Sequence, residues 1–111
     1  MKSARFENLV ACHLLKWVHF EQDARGRDLE LRYFRDLEGR EVDFVVMEGR
    51  HPELLVECKW ADAEPERGLR YLKARFPDAR AWQISAVGVK HFQTPGGIRV
   101  APALELLKTL A

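Results

Sequence analysis

The sequence predicts a mixed α/β fold: a first helix, a three-strand antiparallel meander, a crossover helix, and a further strand parallel to the third, with helices on both faces of the sheet. Three observations predict it. Residues 4–20 place apolar side chains at helical spacing, residues 29–60 hold three apolar runs separated by short Gly-containing turns, and residues 64–76 return to helical spacing before another β-rich run. A helix between two strands of one sheet makes a right-handed parallel crossover, so the sheet is mixed.

The first helix is expected over Ala4–Phe20, where Phe6, Leu9, Val10, Leu14, Trp17 and Val18 form one stripe and Ser3 is available as the N-cap. "EQDARGRD" then reads as a loop, and "LELRYFRD" as a strand in which Leu29, Leu31, Tyr33 and Arg35 alternate with polar neighbours. "LEGRE" turns the chain into a strand over Val42–Glu48, and "GRHPE" into another over Leu54–Trp60. The second helix is expected over Glu64–Phe76, where Leu69, Leu72 and Phe76 recur three or four apart, Pro65 is tolerated early and Pro77 lies just beyond. Ala79–Val87 reads as the parallel strand. "HFQTPGGIRV" is turn-rich with room for a short edge strand, and "APALELLKTL" closes the chain as a short amphipathic helix.

A length of 111 residues suits one domain over residues 1–111, since domains cluster near roughly 100–150 residues. With 47% hydrophobic and 32% charged residues, the composition is that of a folded chain rather than a disordered one. Eighteen Lys and Arg against 17 Asp and Glu leave a net charge of +1, so an anionic partner would have to be held by a local patch. Cys12 and Cys58 lack metal-ligand spacing, no N-terminal secretion pattern is present, and no apolar run approaches the roughly 20 residues that cross a bilayer. The expected setting is the cytoplasm, without membrane insertion.

The chemistry concentrates in "EVDFVVMEGRHPELLVECKW". With the turn centred near Arg50, residues equidistant from it face each other, which puts Asp43 opposite Glu57 with Cβ atoms roughly 5 Å apart. Side chains alternate along a strand, so Glu57 and Lys59 share a face and Cys58 points to the other. Two carboxylates this close repel unless a positive charge stands between them. A divalent cation resolves the conflict. Mg²⁺ takes oxygen ligands from one or two carboxylates, with waters and substrate phosphate completing its octahedron, and Lys59 would orient a water or steady an oxyanion. Glu7 lies at the edge of the first helix's apolar stripe and is a further candidate. Its plainer account is an early-helix acid favoured by the dipole and left in water. For Lys59 the plainer account is an ion pair on a solvated face, since one Asp/Glu-x-Lys triplet is expected roughly once by chance. The conjunction of all four residues favours a site for phosphodiester hydrolysis.

Glu7, Asp43 and Glu57-Cys58-Lys59, set on helix, strand and strand, resemble the PD-(D/E)xK nuclease superfamily. "FENLVACHLLKW", "LRYFRDLEGREVDFVV" and "LLVECKW" resemble the nuclease-like domain at the C-terminus of prokaryotic AAA-type ATPases of uncharacterised role. The resemblance runs from Phe6 to about Ser85. It implies a restriction-endonuclease-like fold, Mg²⁺ or Mn²⁺ bound by Asp43, Glu57 and the Cys58 carbonyl, Lys59 serving the attacking water, and Glu7 supporting this metal or a second. The sequence departs in three ways: it holds no G-x-x-x-x-G-K-[ST] segment, "EVD" stands where many superfamily members have Pro-Asp, a tolerated variation, and Arg67 and Tyr71 stand where some have Gln-x-x-x-Tyr.

The substrate this implies is nucleic acid, DNA ahead of RNA, with Arg67, Arg70 and Lys73 on one side of the second helix as the candidate phosphate contacts. A solvated helix face, its positive field diluted by Glu64 and Glu66, is the simpler account of that stripe. Trp60, Trp82, Tyr33 and Phe92 are candidates for base stacking, although aromatic residues near strands usually pack. Gln83 reads as a buried, hydrogen-bonded side chain. A small domain grips little duplex alone, which makes a homodimer plausible for endonuclease action. The alternative is a non-catalytic nucleic-acid-binding or oligomerisation module working with an ATPase in cis or trans.

Overall fold

The computed structural model describes residues 1–110. Its first helix, α1 (Lys2–Arg25), is longer than expected at both ends. Ser3 is therefore helical, and Met1 is the N-cap with no side-chain cap bond. At the other end Glu21 is buried and ion-paired to Arg25 and Arg27, which keeps "EQDAR" helical. The stop comes at Gly26, which takes the left-handed conformation (φ 64°) and donates its N–H to the Gln22 carbonyl. Val10, Leu14 and Val18 are the buried stripe, whereas Leu9 is exposed.

Strands β1 (Leu29–Arg35), β2 (Glu41–Glu48) and β3 (His51–Lys59) form the antiparallel meander. Helix α2 (Arg67–Arg75) crosses to β4 (Arg80–Ser85), which lies parallel to β3. The tail adds β5 (Phe92–Gln93), β6 (Ile98–Pro102) and α3 (Ala103–Thr109). Strand order is β1-β2-β3-β4-β6-β5, with β6 parallel to β4 and β5 antiparallel to β6. The fold is thus mixed α/β, and the sheet is wider than expected because the 92–102 stretch supplies two strands, β5 at the edge and β6 paired on both sides.

Each face of the sheet has its own core. Val10, Leu14 and Val18 of α1, with Leu106 of α3, cover Leu29, Val46, Leu54, Val56, Cys58 and Ile84. Leu69 and Leu72 of α2 cover Val42, Val45, Leu55, Ala81, Ile98 and Val100 on the other face. Among the described residues, no helix is long and apolar enough to cross a membrane.

Two irregularities in β2 set the geometry of its carboxylate. Gly49 (φ 60°) and Arg50 make a two-residue turn, one residue tighter than expected, and a shift after Val46 restores the anticipated register. Val46 then faces Leu54 and Phe44 faces Val56. On the other edge Arg32 pairs with Val45 and Phe34 with Val42, so Asp43 and Phe44 together oppose Tyr33. This β-bulge flips the alternation: Val42 belongs to the α2-side core, Phe44 to the α1 side. It also breaks the expected alternation in β1, leaving Tyr33 exposed and Phe34 packed against the α2-side core.

Helix α2 begins at Arg67 rather than Glu64, for a tertiary reason. The carbonyls of Ala63 and Glu64 accept from Gln83 Nε2 (3.0 and 2.9 Å), and the N–H of Glu66 donates to Gln83 Oε1 (2.9 Å). Those bonds hold residues 62–66 in an irregular, extended path that overrides their helical spacing. Pro65 thus precedes the helix. β3 likewise starts earlier than expected, at His51, and ends at Lys59, before Trp60.

Candidate functional site

The β2–β3 ladder ends at Phe44 and Val56, and beyond it two carboxylates take over the work of strand carbonyls. The Asp43 N–H donates to Glu57 Oε1 at 3.1 Å, and the Cys58 N–H donates to Asp43 Oδ2 at 2.9 Å. The bulge at Asp43–Phe44 frees this end of β2 from regular pairing, and the hydrogen bonds bring the two acids together across the gap.

Glu57 is 9% exposed and Asp43 is half-buried. Burial raises the Asp43 carboxyl above the usual range, although the Cys58 N–H and the charge of Lys59 pull it down. Glu57 is raised further, to about 7, first by burial and then by the negative charge of Asp43. The pair is thus charged with difficulty and short of positive partners.

Cys58 packs its side chain into the α1-side core, with burial pushing its thiol well up, while its neighbours Glu57 and Lys59 alternate to the α2 side. Lys59 does not bond to either acid. Its Nζ is ion-paired with Glu66, the N-cap residue of α2. Glu7 is partly buried, and burial and the charge of Asp43 both raise its carboxyl, so it lies within electrostatic reach of the pair. Glu7 thus feels the charges of Asp43 and Lys59, while Asp43 and Glu57 are joined through their hydrogen bonds to strand backbone. Even so, among the described residues no three His, Cys, Asp or Glu side chains converge tightly enough to grip an ion by themselves.

The donor set fits a hard cation whose shell is mostly water: two carboxylate groups and a strand-end carbonyl at Cys58, next to a residual excess of negative charge. It does not fit zinc, since the one nearby thiol is buried in an apolar core and held protonated.

The basic stripe of α2 is partly committed elsewhere. Lys73 Nζ donates to the Pro77 and Ala79 carbonyls at 2.6 and 2.7 Å, closing the C-terminal end of its own helix, and Arg67 donates to the Glu38 carbonyl at 2.7 Å. Arg70 is exposed. Trp82 is buried in the core, while Trp60, Tyr33 and Phe92 are exposed.

Sequence reasoning missed Glu66, which contacts Lys59 and whose charge raises both Asp43 and Glu57. Its signal was indirect: Gln83 interrupts an apolar strand, and a buried Gln needs partners, here the backbone around Glu66.

The layers and the polar cluster at the β2–β3 ends define a mixed α/β domain with a carboxylate pair on its sheet. The chain belongs to the family described as a domain of unknown function, DUF4143, whose model matches residues 2–103. That domain is found in the C-terminal region of AAA-type ATPases. No curated protein and no solved structure matches the chain. The likeness to PD-(D/E)xK nucleases rests on the motif residues alone.

Proposed function

We propose that the chain is a metal-dependent nuclease that hydrolyses phosphodiester bonds of DNA. The observation that carries this reading is the pairing of Asp43 with Glu57: a half-buried and a buried carboxylate share a hydrogen-bonded corner, both are harder to ionise than usual, and the nearest ammonium is bound to a third acid. Asp43, Glu57 and the Cys58 carbonyl would hold Mg²⁺ or Mn²⁺, which when bound supplies charge neutralisation and an acidified water. Asp43 is fixed by the Cys58 N–H and Glu57 by the Asp43 N–H, so both carboxylates are pre-oriented by backbone. Lys59, on the same face of β3 as Glu57, would orient the water or steady developing negative charge, and Glu7 would add negative charge from α1. Exposed Arg70 is the remaining unengaged cation of the candidate phosphate stripe.

Incubation of the purified chain with linear, nicked and branched DNA and with RNA tests this. Cleavage is expected with Mg²⁺ or Mn²⁺ and none with EDTA, and it should vanish in Asp43→Ala and Lys59→Ala. A folded, Mn²⁺-saturated protein inert on every substrate would sink the proposal.

The raised Glu57 carboxyl adds a pH prediction. Its folded pKa of about 7 exceeds the unfolded value, so its stabilising contribution is present below about pH 4.5 and is lost as pH rises through 7. Without metal, the chain is expected to lose about 2–3 kcal/mol between pH 5 and pH 8 in urea denaturation. Mn²⁺ is expected to restore stability at pH 8 far more than at pH 5, because its ligands must be deprotonated. Metal-free stability that climbs over that range would contradict the assignment.

A second reading has its own support. Asp43 and Glu57 also serve as acceptors for strand N–H groups, which is a structural job, and the family occurs in the C-terminal region of ATPases. In that reading the domain is a non-catalytic binding or oligomerisation module of an ATPase. Calorimetry showing no Mn²⁺ binding would favour it.

A further inference from the structure

We propose that Glu66 is a positioning residue which draws the Lys59 ammonium away from Asp43 and Glu57 and so keeps the carboxylate pair available to a cation. The inference rests on the cation-binding reading of that pair.

Lys59 stands two residues beyond Glu57 on the same face of β3, and it is the one cation whose charge pulls down Asp43, Glu57 and Glu7 alike. Left alone, an ammonium among buried acids pairs with them and takes the place a divalent ion needs. Here its Nζ is bonded to Glu66 instead. Glu66 is more exposed than Glu57: its side chain is 42% exposed, whereas Glu57 is 9% exposed overall. A surface carboxylate has little intrinsic advantage in holding a lysine, so its position has to be fixed by something else.

Gln83 fixes it. The side chain is 2% exposed and all of its bonds go to the linker that carries Glu66: Oε1 accepts the Glu66 N–H, and Nε2 donates to Ala63 and Glu64. Gln83 is also the β4 partner of Glu57 in the parallel register, as Ser85 is the partner of Lys59. The residue beside the metal-ligand candidate thus anchors the segment that holds the competing cation. A second pin lies upstream, where Asp62 accepts the N–H groups of Val89 and Lys90 at 3.2 and 3.1 Å. The linker is held at both ends, and Glu66 is presented to Lys59 without depending on the pair's own attraction.

The test is a metal-affinity cycle read by calorimetry with Mn²⁺ alone, without nucleic acid. Wild type is expected to bind. Glu66→Gln, a conservative change at a partly exposed position, should lower affinity about tenfold or more as Lys59 turns to the carboxylates. Lys59→Met added to Glu66→Gln should restore affinity to within about threefold of Lys59→Met alone, because the competing ammonium is gone. Thermal melts of the same set establish that each variant is folded.

An affinity indifferent to Glu66→Gln overturns the proposal, and so does a loss that Lys59→Met fails to rescue, which would make Glu66 a ligand in its own right. A folded wild type that binds no Mn²⁺ removes the cation-binding reading, and this proposal with it. The first two results leave that reading standing, so the failures are distinguishable.

Discussion

Asp43→Asn is expected to make the metal-free protein more stable while abolishing its Mn²⁺ binding. The asparagine oxygen can still accept the Cys58 N–H, so the local backbone keeps its partner. What disappears is a half-buried negative charge beside Glu57, the second-largest cause of that residue's raised carboxyl. Relief of this repulsion is expected to add about 1 kcal/mol, which is roughly 4–8 °C in Tm for a chain of this size. Mn²⁺ affinity should fall by more than about 100-fold, since a ligand, rather than one of its supports, is lost. Differential scanning calorimetry with and without Mn²⁺ checks both halves. A Tm that drops, with metal affinity unchanged, would mean that Asp43 is there to cap a strand.

Gly68→Ala is expected to destabilise the fold by about 3 kcal/mol. Elsewhere in a helix this change adds up to about 1 kcal/mol of stability. Gly68, however, lies where α2 presses on the start of β2: a Cβ there would stand 2.1 Å from the Glu41 carbonyl oxygen and 2.6 Å from the Glu41 nitrogen. Backbone cannot yield as a flexible side chain can, so α2 must lift away from Val42 and Val45. The same shift would disturb Asp43, two residues from Glu41, and a loss of Mn²⁺ affinity should accompany the loss of stability. Urea denaturation is the measurement; a stabilised Gly68→Ala would show that α2 does not approach β2 this closely.

Elements with strong local periodicity were legible from sequence. The α1 stripe of Val10, Leu14 and Val18 is a spacing argument, and the approach of Asp43 to Glu57 follows from hairpin counting. The errors came where tertiary bonds overrode local pattern. Helix α1 continues past Phe20 because Glu21 finds Arg25 and Arg27, and α2 starts late because Gln83 takes the linker's backbone groups. The bulge at Asp43–Phe44 left no mark in the residue types, since it is set by the pairing of β1 with β2. Counting along strands likewise could not show that Lys59 would turn to Glu66, seven positions away, rather than to the acids beside it. Lys73 looked like a phosphate contact but closes its own helix, a use that depends on where the Pro77 and Ala79 carbonyls end up.

The divalent-cation site proposed at Asp43 and Glu57 is tested by anomalous diffraction from crystals soaked in Mn²⁺. The expected result is a peak bonded by Asp43, Glu57 and the carbonyl of Cys58, lost in Asp43→Asn crystals. Saturating Mn²⁺ that leaves this corner empty in well-ordered wild-type crystals, at a pH above the Glu57 value of about 7, would contradict it.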